Sequence, residues 1–210
     1  MDDFYERNME TAGLLPVCGI DEAGRGPLAG PVCAAAVILP RDAVIPDLND
    51  SKKLTPQKRD ELFDIIKQKA LAYGVGWADE QEIDRVNILQ ATYLAMRRAV
   101  SALTIQPGSA LVDGNRDPIL ELPTLCIVGG DGKCPSIAAA SIIAKVSRDR
   151  YMQELDRSYP QYQFAKHKGY GTKLHYELLN QYGVSIVHRQ SFLKKFDLKN
   201  FEKKAQEDAG

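Results

Sequence analysis

Val17-Cys18-Gly19-Ile20-Asp21-Glu22-Ala23-Gly24-Arg25-Gly26-Pro27-Leu28-Ala29-Gly30-Pro31-Val32-Cys33-Ala34-Ala35-Ala36-Val37-Ile38-Leu39 sets the architecture of the whole chain. A short apolar run ends on two adjacent carboxylates, turns through a glycine-rich corner and re-enters a longer apolar run. Apolar runs of this length, bounded by Gly and Pro, read as buried strands. Strand alternation predicts that Asp21 and Glu22 diverge to opposite faces unless the strand ends there. Glycines at 24, 26 and 30 allow positive φ and close approach to a ligand. Arg25, between two of them, is held out as a cation for a phosphate. Carboxylates on a buried strand are costly unless paired or bound to a cation. The stretch is therefore either a tight hairpin with a surface Asp-Glu pair or a metal-and-phosphate site. Two carboxylates at a strand end favour the second.

Outward from this corner, the 210 residues predict strands at about 16–22, 30–39, 72–78, 109–113 and 125–128. Residues 1–15 read as a loose leader with one helical turn. Thr55 is a good N-cap and Pro56 suits the first helical position, with Leu62, Ile65, Ile66 and Leu71 at helical spacing behind them. Residues 80–104 read as helix in two pieces, and 135–157 as one long helix. The early part of that long helix is a stripe of small residues (Ala138, Ala139, Ala140, Ser141, Ala144), which permits close packing on a sheet. Lys145 and Arg148 follow Ser141 on roughly one side. Beyond residue 158 come a loop and short helices, 173–182 the clearest, with a polar tail from about 200. Strands alternating with helices imply an α/β fold with a sheet of mixed direction. The expected division is a catalytic unit over 1–158 and a helical extension over 159–210 packed on it.

Composition narrows the class. Hydrophobic content of 44% and charged content of 26% are those of a globular protein, and no apolar run reaches membrane-spanning length. Cys18, Cys33, Cys126 and Cys134 form no Cys-x-x-Cys pair, so neither zinc nor a disulfide framework is expected, and a reduced, cytoplasmic monomer is. The net charge of −1 hides an asymmetry: residues 145–204 hold 13 Lys and Arg against 6 Asp and Glu. Seven aromatic residues interleave them, Tyr151 to Tyr182. The mixture fits a polyanion partner, and equally a set of solvated helix faces with core aromatics.

The chemistry lies in the acids at the strand ends: Asp21 with Glu22, Asp113, and Asp131. In an open α/β sheet the binding crevice lies beyond strand ends, where such carboxylates converge. An all-oxygen donor set suits hard cations such as Mg²⁺ or Mn²⁺, and a carboxylate cluster holding two of them is the usual device for phosphodiester hydrolysis. His167, His175 and His188 are the only histidines and form no Ser-His-Asp arrangement. Singly, Asp113-Gly114-Asn115 and Gly130-Asp131-Gly132 also read as turns. Asp149, four residues after Lys145, reads as half of a helix-surface ion pair.

Gly19-Ile20-Asp21-Glu22-Ala23-Gly24-Arg25-Gly26-Pro27-Leu28-Ala29-Gly30-Pro31-Val32 resembles the opening signature of ribonuclease HII, the type 2 ribonuclease H family. Later blocks match in order: Asp50-Ser-Lys-Lys-Leu54, Val112-Asp113-Gly114, Gly130-Asp131, Ala139 to Asp149, His167-Lys-Gly-Tyr170-Gly-Thr172 and His188-Arg-Gln-Ser-Phe192. The resemblance implies a ribonuclease H-like fold, a mixed five-stranded sheet flanked by helices, that cuts the RNA strand of RNA–DNA hybrids. It also implies incision 5′ of single ribonucleotides in duplex DNA. By position, Asp21, Glu22, Asp113 and Asp131 are the expected metal-binding carboxylates. Gly24, Arg25 and Gly26 are the expected readers of the ribose 2′-hydroxyl, with Tyr170 at the sugar of the junction. Lys53, Ser141, Lys145 and Arg148 are expected to contact phosphates. The runners-up are a metal nuclease of the same fold acting on branched DNA, and a non-catalytic hybrid-binding module. Gln190-Ser-Phe-Leu-Lys-Lys-Phe196 loosely echoes a sliding-clamp-binding peptide but reads better as a packing segment.

Overall fold

The computed structural model describes residues 1, 3–48, 51 and 54–194. Five strands form one sheet: β1 (Val17–Ala23), β2 (Val32–Ile38), β3 (Ala72–Ala78), β4 (Ser109–Asp113) and β5 (Thr124–Ile127), in spatial order β3-β2-β1-β4-β5. The β1–β2 and β2–β3 pairs are antiparallel, whereas β1–β4 and β4–β5 are parallel. The sheet is thus of mixed direction, as the sequence predicts.

Among the described residues six α-helices accompany it: α1 (Phe4–Thr11), α2 (Pro56–Lys69), α3 (Glu80–Ser101), α4 (Pro135–Ser158), α5 (Phe164–His167) and α6 (Lys173–Tyr182). Thr55 caps α2 by accepting the Lys58 N–H, and Pro56 opens it. The helix ends at Lys69, and Leu71 lies beyond it, half exposed. Asp79 and Glu82 form a reciprocal capping box on α3. The expected break in that helix falls at Asn87, where φ is 70° and the side chain caps the second half by accepting the Leu89 and Gln90 N–H groups.

Each face of the sheet is covered by one long helix. Cys18, Ile20, Val32, Ala34, Ala36 and Val112 face α3, while Cys33, Ala35 and Val37 face α4 and α2. The stripe of alanines lets α4 lie close, and Gly19 is indispensable to the crossing: a Cβ there would stand 2.1 Å from the Ser136 carbonyl carbon. Residues 159–194 build a further apolar cluster in which Tyr162, Phe164, Leu178 and Leu179 pack on Leu28, Ala29, Met152 and Leu155. The chain after α4 therefore grips the glycine corner and the end of α4 together.

One expectation is corrected. The leader is not a loose turn but the eight-residue helix α1, and its Glu6 accepts both the N–H (3.1 Å) and the hydroxyl (2.7 Å) of Ser136 at the start of α4. Among the described residues no helix is long and apolar enough to cross a membrane.

Candidate active site

Asp21, near the end of β1, and Asp113, the last residue of β4, lie on two adjacent parallel strands. Ile20 pairs with Val112, so the next residue of each strand brings the two carboxylates side by side. Each is two residues on from a position that faces α4, Gly19, whose missing Cβ would meet Ser136, and Leu111, which packs with Ile137, so both point toward α4. Glu22 has the opposite parity because β1 runs on to Ala23. It pairs with Arg25, Nη1 to Oε1 at 3.1 Å. The predicted divergence of Asp21 and Glu22 is thus present.

Asp21 is the most confined of these groups, 4% exposed. Burial, then the charges of Glu22 and Asp113, push its carboxyl well above the usual carboxylate range. Two hydrogen bonds oppose the shift by favouring the ionised form: the Ser141 hydroxyl and the Glu22 N–H, the latter at 2.7 Å to Oδ1. Asp113 accepts the Gly130 N–H at 2.7 Å, which ties β4 to a short 3₁₀ turn over Gly130–Gly132. That turn carries Asp131, 6% exposed.

A buried carboxylate beside two others is stable only protonated or with a cation, so the donor set fits a hard divalent ion by its chemistry. As they stand, no three acidic, His or Cys side chains among the described residues are gathered closely enough to hold one ion, consistent with the opposed parity of Asp21 and Glu22.

The glycine corner lies beside this group. Gly24 has φ +93°, and a Cβ on it would stand 1.9 Å from Arg148 Nε. Gly26 is open, and a Cβ there would meet only the Tyr170 ring, at 3.7 Å. Arg25 is half exposed, and Tyr170 is 43% exposed. Tyr170 is held by its backbone: its N–H donates to the His167 carbonyl at 2.9 Å, and its carbonyl accepts His175 Nδ1–H at 2.9 Å.

The expected phosphate contacts separate. Lys145 lies on the partly exposed side of α4 and pairs with Asp149 at 2.7 Å, so Asp149 is the helix-surface partner its spacing predicts. Arg148 is not a phosphate contact: it is 1% exposed and donates to the carbonyls of Pro31, Lys168 and Ala29 at 3.0, 3.0 and 3.2 Å. Ser141 is likewise interior, 3% exposed, with its hydroxyl 2.8 Å from that of Ser51. Both belong to the support of the site. Lys53 lies outside the described residues.

Sequence reasoning missed Arg189. It is fully buried, and its guanidinium donates to the carbonyls of Gly24 (2.7 Å), Arg25 (2.9 Å) and Gly30 (2.8 Å). The only signal was its place in the His188–Phe192 block. The clamp-like peptide that follows is packed through Leu193: Gln190 and Ser191 donate to Asp84, and Leu193 is buried. Its last residues, 195 and 196, lie outside the described residues.

Comparison with known proteins identifies the family and the fold. The family model "Ribonuclease HII" matches residues 18–195. The ribonuclease HII of Endomicrobium trichonymphae is 57% identical over 189 residues, 90% of each chain. That of Clostridioides difficile (strain 630) is 52% identical over 192 residues, 91% of this chain and 75% of the relative. Among solved structures, the ribonuclease H2 of Pyrococcus horikoshii OT3 superposes with a TM-score of 0.72 at 28% identity, covering 89% of this chain and 97% of that one. The ribonuclease HII of Archaeoglobus fulgidus, solved in complex with PCNA, gives 0.71 at 25% identity, covering 88% and 97%. Bst-RNase HIII in complex with Mn²⁺ shares the fold, with a TM-score of 0.64 at 18% identity over 92% and 70%. Acidic strand ends on a mixed five-stranded sheet, and sequence identity above one half along nine-tenths of the chain, place this protein in the ribonuclease HII family, as a metal-dependent ribonuclease and hence a hydrolase.

Proposed function

We propose that this protein is an endoribonuclease that hydrolyses the RNA strand of RNA–DNA hybrids and incises 5′ of single ribonucleotides in duplex DNA. The observation that carries the proposal is the adjacency of two features: the neighbouring carboxylates of buried Asp21 on β1 and half-buried Asp113 at the end of β4, and the glycine corner facing the exposed Tyr170 ring. The first suits phosphodiester chemistry and the second suits a sugar. The 2′-hydroxyl, both donor and acceptor, is the group that distinguishes RNA from DNA at a given position.

In this reading Asp21, Glu22, Asp113 and Asp131 hold two divalent ions, Mn²⁺ or Mg²⁺. Bound ions of this kind lower the pKa of an attacking water and neutralise the leaving oxygen. Ser141 and the Glu22 N–H favour the ionised form of Asp21 and orient it. Gly24, Arg25 and Gly26 read the 2′-hydroxyl, and Tyr170 packs against the sugar at the junction. Lys145, beside them on α4, contacts a phosphate, with Asp149 released from it on binding. Water oxygen adds to phosphorus and the bond to O3′ breaks, leaving a 5′-phosphate on the ribonucleotide and a 3′-hydroxyl on the DNA before it. The activity suits removal of misincorporated ribonucleotides and RNA primers by a cytoplasmic monomer. Sliding-clamp contact is no part of the proposal, since Gln190–Leu193 is committed to packing.

The test is cleavage of an end-labelled DNA duplex carrying one ribonucleotide, with Mn²⁺, Mg²⁺ or chelator. One metal-dependent nick on the 5′ side of the ribonucleotide is expected. Activity on long hybrids without that nick would remove the junction role of the glycine corner and Tyr170. Cleavage of neither substrate would overturn the proposal.

A further inference from the structure

Two buried arginines lie beneath the glycine corner, and their six bonds all go to main-chain carbonyls. Arg189 takes those of residues 24, 25 and 30, and Arg148 takes those of 29, 31 and 168. Burying a guanidinium is costly, and burying two side by side is costlier because they repel each other. Burial and the charge of Arg148 lower Arg189 to about 9, so it still carries its proton at neutral pH. Glu80, half-buried at the start of α3, lies close enough for its carboxylate to favour the charge of both. So costly an arrangement under one short loop calls for a role in that loop.

Peptide geometry supplies one. Across a trans peptide bond the carbonyl of one residue and the N–H of the next point in opposite directions. With the carbonyls of Gly24 and Arg25 drawn inward to one guanidinium, the N–H groups of Arg25 and Gly26 are turned outward. Among the described residues neither N–H has a hydrogen-bond partner. Two successive outward N–H groups form a small concavity for an electron-rich oxygen, and the Tyr170 ring stands close by, 3.7 Å from where a Gly26 Cβ would be. Arg148 fills the space where a Gly24 side chain would stand, which prevents the loop from relaxing inward.

We infer that Arg189, seconded by Arg148, is a positioning residue for ribose recognition: by drawing the Gly24 and Arg25 carbonyls inward it aims the N–H groups of Arg25 and Gly26 at the substrate's 2′-hydroxyl. This rests on the hydroxyl-reading role proposed above for the corner. A lysine keeps the charge but lacks the planar fork that reaches two neighbouring carbonyls at once.

The test compares wild type with Arg189→Lys in binding two duplexes by fluorescence anisotropy in Ca²⁺. One duplex carries a single ribonucleotide, and the other is the same sequence in DNA alone. Wild type is expected to prefer the ribonucleotide duplex. Arg189→Lys is expected to lose most of that preference while its affinity for the DNA duplex stays within about twofold. A preference retained in Arg189→Lys overturns the positioning role alone. Equal loss on both duplexes, with a lowered melting temperature, makes Arg189 merely structural and also overturns it. Absence of preference in wild type overturns the hydroxyl-reading function itself, and this inference with it. Should Arg189→Lys not fold, amide exchange in wild type decides. The Arg25 and Gly26 amides should slow on the ribonucleotide duplex and not on the DNA duplex, and unchanged exchange overturns the proposal.

Discussion

The carboxylate of Asp113 accepts the N–H of Gly130 at 2.7 Å, so the last residue of β4 and the turn that carries Asp131 are held as one piece. This bond separates chemistry from architecture at the site. Asp113→Asn keeps an acceptor oxygen for Gly130 but removes a charge. It should reduce cleavage to background while the fold persists. In chelator the variant should melt higher than wild type, by roughly 2–4 °C for each kcal/mol of relieved repulsion, because the Asp113 charge is one of the causes that raise Asp21. An active Asp113→Asn enzyme would remove Asp113 from the site.

Gly24 and Gly26 should respond differently to one methyl group. Gly24→Ala meets both a positive φ and a buried Arg148 tied to three carbonyls, so it should lower the melting temperature by roughly 5 °C, from about 1–3 kcal/mol of strain. Gly26→Ala has room and should melt within a degree or so of wild type, yet lose ribonucleotide cleavage because its Cβ intrudes on the gap before Tyr170. Calorimetry and the nicking assay on both variants check the contrast. A fully active Gly26→Ala would show that the gap takes no part in binding.

The three histidines predict acid sensitivity. Gly169 N–H donates to His167 Nδ1, so His167 donates from Nε2 to the Tyr162 carbonyl. His175 donates from Nδ1 to the Tyr170 carbonyl, so its Nε2 accepts from His188 Nε2 at 3.2 Å. His188 Nδ1 accepts from Ser185. Every ring is therefore neutral, and burial, then a neighbouring ring, lowers His175 and His188 to about 4. Below pH 6.5 the unfolded chain takes up these protons first, so stability falls from there down to about pH 4. The loss is on the order of 3 kcal/mol for one such histidine. Asp21 and Glu80, both raised, act with the opposite sign, because the unfolded state ionises them first as pH rises. The melting temperature of Asp21→Asn, freed of part of that opposition, should therefore fall more steeply between pH 6.5 and 4 than that of wild type. A flat profile in the variant would exclude the neutral network.

Glu6 offers a prediction far from the site. Its carboxylate binds the N–H and hydroxyl of Ser136 at the head of α4. Loss of such a cap costs about 1 kcal/mol, or roughly 2–4 °C. Glu6→Ala should show that loss with unchanged kcat. A fall in kcat without a change in melting temperature would contradict the capping role.

Much of this was legible in the chain because it is locally encoded. Apolar runs gave all five strands, Thr55-Pro56 marked the start of α2, and α3 read as two pieces, though the sequence did not place the break at Asn87. The carboxylates were legible because acids at the ends of apolar runs are rare and costly. What could not be read depends on partners distant in sequence. Glu6 and Ser136 are 130 residues apart, and α1 is held by that contact together with Tyr5 and Met9, which pack on the cluster of Val17, Leu111, Ile127 and Ile137. Arg148 looked like a surface cation because helical spacing gives its side of α4 but not what covers that side. Only the chain around 28–31 and 168 shows that it is enclosed. Arg189 was invisible for the same reason, its acceptors lying about 160 positions away.

Helix α4 touches each working part in turn: Glu6 at Ser136, Asp21 at Ser141, the glycine corner at Arg148 and the C-terminal cluster at Met152. From Ser141 to Arg148 is two turns of one helix, about 10 Å. The offset between the acids at the strand ends and the glycine corner is thus written into one covalent rod, not left to loops. A single residue inserted between 141 and 148 would advance that rod by about 1.5 Å and swing Arg148 by about 100°. Arg148 would then leave the carbonyls of residues 29, 31 and 168, and the glycine corner would lose the strut that ties it to the acid end of the sheet.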